Sequence, residues 1–452
     1  MISIHTKKGY SLKIEGKPSR GLEKLATPTH LALLPEHLPF VTPRLKVKVN
    51  DRVKVGSPLI EDKRLTDIKF LSPGGGQVVA INFGPRRVIK EIVIRLDKEE
   101  EAIQFEAFSD QEIETIGRSE LIGAIIKGGL WSLIRALPFR DYPLPDSRPP
   151  AIFLGLGNIE PFQTDPQVYL NGNIRLLEYG LQILRKLAGD RLYIGTHKDD
   201  TFVIKSLDGR ITHTYWGNYP AHDPGVWVYR TKVSSAENRS WYLNGQDLLL
   251  LAHLLKTGTY PTERTVVLAG SSAEKRTHFK TRLGVPLAHV TDGRVDPQDN
   301  RDIRYCIGGV HTGYANPKES YLGFFETSVI LLPEGNEKGE FLGFIRPGYR
   351  KPSYSRAFFS HVNRSDMEMN CNKHGGDRAC IACYHCAQVC PVDIIVHFTF
   401  KAILAGEVEE SVEHGLLDCV ECGLCSYVCP SKLELFATLK KAKAEFYKEQ
   451  TR

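Results

Sequence analysis

The sequence predicts a multidomain α+β protein, and three observations along the chain support that prediction. Short apolar runs broken by Gly and Pro fill the segment from about Leu45 to Leu96, which favours half-buried strands. The middle of the chain alternates apolar runs with amphipathic stretches, as helices packed on a parallel sheet do. The C-terminal part holds eight of the ten cysteines in two copies of one spacing. A chain of 452 residues is expected to form about three to four domains.

Residues 1–105 are predicted to form a strand-rich N-terminal domain. Val47–Val49, Val53–Val55 and Ile68–Leu71 alternate in the way expected of half-buried strands. The pattern Val-x-Asp-x-Val-x-x-Gly, followed by Ser-Pro-x-x-Gly-x-Val, resembles a lipoyl-like barrel-sandwich domain. A lipoyl or biotinyl group would need a lysine in a tight hairpin, and no hairpin signal surrounds Lys63. We therefore expect an ordinary exposed lysine at that position.

Residues 106–258 are predicted to form an α/β domain. Ala151–Gly155 is a short apolar run typical of a strand, and Leu176–Leu187 has a helical spacing that ends at Gly189. Leu192–Ile194 is then expected to be the next strand. Alternation of this kind favours helices packed on a parallel sheet.

The turn after the first of these strands does not predict a dinucleotide site. Gly155 and Gly157 are only the first two glycines of the dinucleotide fingerprint, and Pro161 opposes a helix that would hold a pyrophosphate. Ordinary turn glycines are expected here.

A third domain, residues 259–335, is predicted from strands near Arg264–Gly270, Arg304–Gly309 and Ser328–Leu332. Residues 336–376 are then expected to be a linker, because the stretch that opens it is polar. The remaining residues, 377–452, contain the eight clustered cysteines.

Two cysteine runs with the spacing Cys-x2-Cys-x2-Cys-x3-Cys-Pro predict a pair of [4Fe–4S] clusters. In this motif three closely spaced thiolates hold one cubane, and the fourth cysteine ligates the other. The predicted iron ligands are Cys380, Cys383, Cys386 and Cys429 for the first cluster, and Cys419, Cys422, Cys425 and Cys390 for the second. Two linked one-electron centres indicate an electron-transfer protein.

Other interpretations of these cysteines agree less well with the sequence. A disulfide framework is typical of short secreted chains, and this long chain has no hydrophobic N-terminal signal. Zinc sites usually pair two Cys-x2-Cys units across a gap or use histidine. Clusters that only stabilise the tail are the remaining alternative. Outside the motif, Cys306 and Cys371 are expected to be buried or incidental thiols, and His374 a solvated loop histidine.

The segments that follow the cysteines are predicted to be helical. A proline after the last cysteine of each run suits a first helical turn. Ile394, Phe398 and Ala402 are spaced to share one helix face, as are Leu435 and Leu439. The long connector between the two runs favours an α-helical ferredoxin over the brief hairpin of small bacterial ferredoxins.

The charge distribution does not predict nucleic-acid binding, and the hydropathy does not predict a membrane-spanning segment. The formal net charge of +6 is spread thinly, with no basic stripe interleaved with aromatics, so nucleic-acid binding is not predicted. No apolar run approaches the roughly 18–20 residues that span a bilayer. Val392–Ala405 comes nearest among the segments beside the cysteines, but charged and histidine residues interrupt it. Thiol-rich motifs suit a reducing compartment, so a cytoplasmic location is expected, with membrane association through a partner.

Several short motifs resemble, in their order along the chain, the A subunit of the sodium-translocating NADH:quinone reductase family. They are Lys8–Pro18, Glu61–Lys63, Ser72-Pro73, Gly129–Trp131 with Arg135, Pro138-Phe139, Val267–Gly270, Arg346–Gly348 and Ser355-Arg356. The resemblance covers almost the whole chain. It implies that residues 106–258 are similar to the flavin-site domain of respiratory complex I, and that residues 259–335 form a soluble-ligand-binding β-grasp domain.

The resemblance also implies a function: a peripheral electron-transfer subunit of a membrane NADH:quinone oxidoreductase that pumps sodium. Such a protein lies on the cytoplasmic side of the bacterial inner membrane, in contact with other subunits of the redox complex, above all a B-like membrane subunit. Quinone is then the substrate of the complex, and NADH and flavin chemistry belongs to a partner. Little or no activity is expected of the chain alone, and no side chain is predicted to be catalytic.

The chain departs from that family in its cysteines, because both runs are intact here. In this respect it is similar to the C subunit of the related Rnf complex, which carries a Gly-Gly-Ala-Gly-Phe-Pro type loop under a flavin phosphate. This chain has Lys127-Gly-Gly-Leu-Trp-Ser132 instead, and the bulky Trp131 leaves little room for backbone amides to approach a phosphate. We therefore expect neither FMN nor NADH on this chain. An Rnf C-like electron-entry subunit for NADH or ferredoxin, and a non-redox scaffold with structural clusters, are the alternative functions.

Overall fold

The structure is a computed structural model of the 452-residue chain, and it describes residues 1–297, 299–336, 349, 352–354, 360, 362–363, 365–373, 375–376 and 378–450. The predicted linker, residues 336–376, lies partly outside these ranges. His374 and the motif residues Arg346–Gly348 and Ser355-Arg356 lie outside the described residues entirely.

The first 24 residues supply one strand to each of two sheets that are built mainly from later parts of the chain. β1 (Ile2–Thr6) pairs in parallel with residues 213–217, and β2 (Leu22–Lys24) pairs in parallel with residues 278–280. The segment predicted as the first domain, residues 1–105, therefore begins with strands that pair outside it.

Two small sheets form the body of the N-terminal domain. Their strands are β3 (His30–Leu33), β4 (Pro43–Leu45), β5 (Arg52–Val53), β6 (Pro58–Asp62), β7 (Leu65–Leu71), β8 (Gly76–Phe83) and β9 (Ile89–Leu96). One sheet has the order β3-β9-β8-β5, and the other β4-β6-β7. The core between them includes Leu59, Ile60 and Phe70, which are at most 1% exposed.

Not every predicted strand in this domain forms. Ile68–Leu71 lies in β7, as predicted, and Val53 lies in β5. Val47–Val49 was wrongly predicted as a strand. The Asp51 carboxylate accepts a hydrogen bond from the Lys48 amide at 2.7 Å, which turns the backbone there, as Asp side chains often do.

A two-residue turn, Lys63-Arg64, joins β6 to β7. Lys63 is exposed, as predicted, but it lies in a tight hairpin that the sequence did not reveal. The Arg64 guanidinium turns inward and pairs with Asp62 at 2.8 Å and Asp141 at 2.6 Å. The hairpin is thereby fixed against the α/β domain.

The α/β domain has one six-stranded sheet in the order β1-β13-β12-β11-β14-β10, parallel except for β10. Its elements are α1 (Asp110–Thr115), α2 (Arg118–Lys127), β10 (Arg135–Ala136), β11 (Ile152–Gly155), α3 (Pro166–Leu170), α4 (Ile174–Ala188), β12 (Leu192–His197), α5 (Thr201–Ser206), β13 (His213–Gly217), α6 (Pro224–Thr231), β14 (Trp241–Asn244) and α7 (Gly245–Thr257). The predicted strands and the predicted helix ending at Gly189 are all present. Helices α4 and α7 pack closely because Gly180 has no side chain: a Cβ there would lie 2.7 Å from Leu248.

A second six-stranded sheet follows, with the order β18-β17-β19-β15-β16-β2. Its other elements are β15 (Glu263–Ala269), β16 (Thr277–Arg282), α8 (Leu287–Thr291), β17 (Ile303–Ile307), β18 (Tyr314–Asn316) and β19 (Ser328–Pro333). β15 is antiparallel to β16 and parallel to β19. The predicted strands of residues 259–335 are therefore present.

The C-terminal module is helical, as predicted, including the connector between the cysteine runs. Its helices are α9 (His385–Val389), α10 (Val396–Ala405), α11 (Val408–Glu413), α12 (Leu424–Tyr427) and α13 (Leu435–Gln450). No helix in the described part of the chain is long and apolar enough to cross a membrane.

Two details of the helix prediction were wrong. The prolines do not lie in a first helical turn, because α10 and α13 begin only at residues 396 and 435. Asp393 and Lys432 have positive φ angles, 59° and 60°, which end any helical path before those points. Phe398 is also 42% exposed rather than packed with Ala402, whereas Leu435 and Leu439 are buried as predicted.

Candidate iron–sulfur centre

The two cysteine runs adopt the same backbone conformation. In each run the third and fifth residues have positive φ angles: 51° and 67° at Ala382 and Tyr384, and 55° and 75° at Glu421 and Gly423. A short helix, α9 or α12, then begins within each run. Left-handed turns of this kind can direct backbone N–H groups into a concavity that suits anions such as thiolates. The repeated spacing in the sequence is thus a repeated loop structure.

Thiols from both runs meet in the first predicted ligand set. Burial, together with the neighbouring thiols of Cys383 and Cys429, raises the pKa of Cys386 to about 11. Cys429 belongs to the second run but lies beside the triplet of the first run. Cys380 is half-buried at the start of the same loop.

The second predicted set shows the reciprocal crossing. Burial raises the pKa of Cys422 well above its ordinary value, with contributions from Cys390 and Cys419. Burial likewise raises the pKa of Cys425, which is influenced by thiols of this set and by Cys386 of the other. Cys390 comes from the first run, and the two groups of thiols adjoin at Cys425.

The donor set fits thiolate-ligated iron–sulfur clusters. A void of about 20 Å³ lies between the runs, and five thiols line it: Cys386, Cys390, Cys419, Cys422 and Cys425. Burial opposes ionisation of the free thiols, and a bound metal centre reverses this by deprotonating the thiols that coordinate it. Within the described residues no group of three or more His, Cys, Asp or Glu could hold a single metal ion. A cubane does not need such a group. Its four thiolates bind four different iron atoms, so they lie farther apart than the ligands of a single ion.

Apolar side chains enclose these thiols. Val392, Ile394 and Val396 from the first half, and Leu435 and Leu439 from the second, form one buried cluster with the cysteines. Val226 of α6 completes this cluster from the α/β domain. Exclusion of water by such a shell is one of the factors that set a cluster's reduction potential.

Partly buried hydrogen bonds attach the second loop to the α/β domain. Arg140 Nη2 donates to both carboxylate oxygens of Asp223 at 2.9 Å and to the Val420 carbonyl at 3.0 Å. The Tyr219 hydroxyl donates to the Cys422 carbonyl at 2.9 Å. These contacts hold the second loop rigidly on the edge of the neighbouring domain.

A buried lysine supports the same loop from α13. Lys443 Nζ donates to the Cys419 carbonyl at 2.7 Å and to Glu421 Oε1 at 3.1 Å, and the lysine is 2% exposed. Burial opposes the charge on Glu421, but Lys443 and Arg140 hold the pKa of this carboxyl below its usual range. Two largely buried cations, Lys443 and Arg140, therefore lie beside the second predicted cluster, each paired with a carboxylate.

A cleft of about 890 Å³ opens beside this loop, and no pattern in the sequence predicted it. Its walls include residues 155–158 after β11, Phe325, and Glu421, Phe436 and Lys440 of the C-terminal module. The cleft is assembled from four separate parts of the chain, so local sequence patterns could not reveal it.

One buried carboxylate at this cleft could have been noticed from the sequence. Glu160 follows the turn glycines and accepts hydrogen bonds from the amides of His311 and Thr312 at 2.7 and 3.0 Å. It also accepts one from the Thr312 hydroxyl at 2.8 Å. A charged residue between an apolar strand and a proline was the only available signal, and Glu160 joins the α/β domain to the following sheet.

The glycines at residues 128–129 have a packing role. A Cβ at Gly128 would lie 2.1 Å from Leu254, and one at Gly129 would lie 2.5 Å from Leu71. Trp131 is 1% exposed, and its indole N–H donates to the Pro143 carbonyl at 2.7 Å. This loop is part of the core, and the prediction that FMN is not bound stays a prediction.

Models of three protein domains match successive parts of the chain. The NqrA N-terminal barrel-sandwich hybrid domain matches residues 4–97, and the NqrA second alpha/beta domain matches residues 116–260. A 4Fe-4S dicluster domain matches residues 379–433. The N-terminal barrel-sandwich prediction, the α/β domain and the ferredoxin-type module are therefore confirmed at this level.

Relatives of similar length are known over nearly the whole chain. The A subunit of the Na(+)-translocating NADH-quinone reductase of Yersinia pseudotuberculosis serotype I (strain IP32953) is 31% identical over 418 residues, which cover 92% of each chain. The A subunits of the same reductase from Histophilus somni (strain 2336) and Photorhabdus laumondii subsp. laumondii are 31% and 32% identical, again over 92% of each chain. A solved NAD+-reducing [NiFe]-hydrogenase overlaps half of the chain at 13% identity, with a TM-score of 0.32 that is too low to relate the two folds.

Proposed function

Because the chain belongs to the family formed by the A subunits of the Na(+)-translocating NADH-quinone reductase, we propose that it is the peripheral electron-transfer subunit of such a complex. Two [4Fe–4S] clusters act as its relay. The first is held by Cys380, Cys383, Cys386 and Cys429, and the second by Cys419, Cys422, Cys425 and Cys390. The protein lies on the cytoplasmic side of the bacterial inner membrane, and its main partner is a B-like membrane subunit.

The crossing of the fourth cysteines is the observation that carries this proposal. Cys429 lies with the first triplet and Cys390 with the second, as in a two-cluster ferredoxin module. Interleaved ligands keep two clusters side by side, so that one can reduce the other. When bound, the clusters accept and release single electrons, and this chain's residues position them, exclude water and set their electrostatic surroundings.

An exposed apolar surface beside the first loop supports contact with a partner there. Ile381 is 67% exposed, Tyr384 45% and Phe398 42%. Exposed apolar patches of this kind mark interaction surfaces. Electrons thus have an external route at the first cluster, while the second cluster is enclosed by the chain's own domains.

The cleft beside the second loop supports a place for the quinone ring. Phe139, Tyr242, Phe325 and Phe436 are among its lining residues, and Glu421 of the second loop also reaches it. Aromatic rings of this kind can stack on planar cofactors and substrates, and charged groups such as Arg135, Asp247 and Glu326 also line the cleft. The same cleft is the one observation that favours the alternative, a flavin-containing electron-entry subunit similar to the Rnf C subunit.

We also propose the finer domain assignments, and the topology supports them. The order β16-β15-β19-β17, with β15 parallel to β19, supports a β-grasp domain for residues 259–335. The parallel sheet supports the likeness of residues 106–258 to the complex I flavin-site domain, and the helical connector supports an α-helical ferredoxin at residues 377–452. Residues 1–105, apart from β1 and β2, form the barrel-sandwich domain.

Anaerobic purification of the native complex, with iron and sulfide analysis and low-temperature EPR, tests the proposal. About eight irons per polypeptide and two interacting spin systems are expected. Cys306→Ser, outside the ligand sets, is the matched control and keeps its full iron content. Markedly fewer irons, or stoichiometric zinc, would contradict the relay.

The same preparation separates the alternatives. Stoichiometric FMN on this chain, with cluster bleaching by NADH in the isolated protein, would establish the electron-entry function instead. Unchanged quinone reductase turnover in an assembled Cys422→Ser complex that has lost its second cluster would establish the scaffold.

A further inference from the structure

Two cysteines outside the iron-ligand runs lie against each other. Cys306 is in β17, and Cys371 is in the segment that precedes the C-terminal module, yet each thiol is the largest influence on the pKa of the other. Both are half-buried and pack on the same apolar cluster, with Ile330 and Leu332. Nothing in their spacing along the chain links them, so incidental thiols were expected. The structure corrects that expectation by making them a pair.

Backbone contacts hold the pair in place. The Cys371 amide donates to the carbonyl of Pro333, the last residue of β19, at 3.0 Å. A few residues earlier, Met367 exchanges backbone hydrogen bonds with Lys13 and Glu15, both at 3.0 Å. The segment is therefore attached on one side to β19 and on the other to residues 13–15.

The surroundings make the two thiols unequal. The contact with Cys306 lowers the pKa of Cys371, although burial opposes this, whereas the contact with Cys371 and burial both raise the pKa of Cys306. The Arg304 guanidinium lowers the pKa of both thiols. Glu334 partly balances Arg304, since its Oε2 accepts from Arg304 Nε at 2.7 Å. Cys371 is therefore the better nucleophile, because the thiolate is the reactive form, and Cys306 is the thiol placed to attack its oxidised product.

We propose that Cys306 and Cys371 form a reversible disulfide in response to hydrogen peroxide, joining the third sheet covalently to the segment that leads into the cysteine runs. The Cys371 thiolate attacks one peroxide oxygen, the O–O bond breaks, and the departing hydroxide takes a proton to become water. The Cys306 sulfur then attacks the resulting sulfenic acid, and a second water leaves. Overall, two thiols and one peroxide give one disulfide and two waters. A small dithiol reverses the reaction by exchange.

Such a pair suits a chain in a reducing compartment. Most thiols there stay reduced, and transient disulfides serve catalysis or redox sensing. Half-burial admits a molecule as small as peroxide. The inference does not depend on the proposed electron-transfer function, because neither thiol belongs to the ligand sets.

The test uses the full chain with its iron in place. The anaerobic protein receives a small excess of hydrogen peroxide, free thiols are alkylated, and the digest is analysed by mass spectrometry while iron is measured in parallel. We expect a Cys306–Cys371 linked peptide, two hydrogen atoms lighter than its two separate parts, while the iron content is unchanged. Dithiothreitol should restore both alkylated peptides.

Two single variants make the result decisive. Cys371→Ser should leave Cys306 unreacted, and Cys306→Ser should accumulate a sulfenic acid at Cys371 that dimedone traps. The proposal is overturned if no linked peptide forms, if it appears only in step with iron loss, or if Cys306→Ser shows no trapped sulfenic acid. Iron content separates this failure from failure of the relay, because a chain without clusters could still form the disulfide.

Discussion

In the loop Cys380–Cys386 the residues between the cysteines face solvent, whereas in the loop Cys419–Cys425 the equivalent residues are enclosed by other domains. Ile381 is 67% exposed, and its counterpart Val420 is 6% exposed. Tyr384 corresponds to Gly423, where a Cβ would lie 2.7 Å from the His311 carbonyl oxygen. Glycine is required at residue 423 because the His311 backbone lies against the second loop. The side chain of Tyr384 is instead 45% exposed.

Loops of one backbone geometry can therefore give two clusters different properties. Protein charges control the second site, because Arg140 and Lys443 are buried beside it. The properties of the first site depend instead on solvent and on any partner that covers the exposed patch. A relay needs such a difference, because electron flow between two clusters depends on their relative potentials.

Replacing one ligand in each loop is expected to have the largest effect. Cys422→Ser should abolish the second cluster, with loss of about four irons, because its enclosed loop has no room for a replacement ligand. Cys383→Ser should retain part of the first cluster, since water or the serine can reach the half-exposed site. Iron analysis and EPR spin quantitation measure both. Equal and complete loss in the two variants would remove the distinction between the loops.

The ion pairs that attach the two cysteine runs to the rest of the chain should differ in strength. Arg140→Leu removes the cation that pairs with Asp223 in a largely buried site, which should cost roughly 3–5 kcal/mol at this interface and lower the midpoint of thermal unfolding. Lys8 forms the corresponding contact near the first run, 2.6 Å from Asp393, and both side chains are about two-fifths exposed. Lys8→Ala should cost less than about 1 kcal/mol. Similar shifts of the midpoint would show that the second loop is not held more firmly.

Removal of one buried cation should change the potential of only one cluster. Lys443→Met should lower the midpoint potential of the second cluster by on the order of 100 mV, because the reduced cluster loses a nearby positive charge. Lys441→Met is the matched control on the same helix, with a side chain that is 77% exposed and screened by water. EPR-monitored redox titration measures both, and a comparable shift of the first cluster would contradict the assignment.

The rate at which a small solute reaches each cluster should differ modestly between the two sites. A water-soluble iron chelator, added to oxidised protein, should remove iron from the first cluster several-fold faster than from the second. Loss of the two EPR signals over time reports the rates. Release in the opposite order would mean that the second loop opens more readily than its contacts suggest.

Features that depend on local sequence were predicted well. The cysteine spacing identified both loops, and the periodicity of the apolar residues alone located β11, α4 and β12. Leu435 and Leu439 were correctly placed in the core because their spacing continues through a real helix. Phe398 was misplaced, since the turn at Asp393 delays the start of α10 and changes which face is buried.

Features that depend on distant parts of the chain could not be predicted. Nothing local links Cys306 to Cys371, or Arg140 to the Val420 carbonyl. The cleft has the same origin, as its walls come from several domains. The failure at Val47–Val49 is different, because there one side-chain hydrogen bond to Asp51 outweighed a plausible strand pattern.

The positions of β1 and β2 also have a consequence for the order in which the protein matures. Residues 2–6 are translated more than 200 residues before their partner strand at residues 213–217. At typical translation speeds of about 5–20 residues per second, the nascent segment waits roughly 10–40 s for its partner. During that interval an unpaired strand edge is open to chaperones or to misfolding, so slow translation would interfere most at β1.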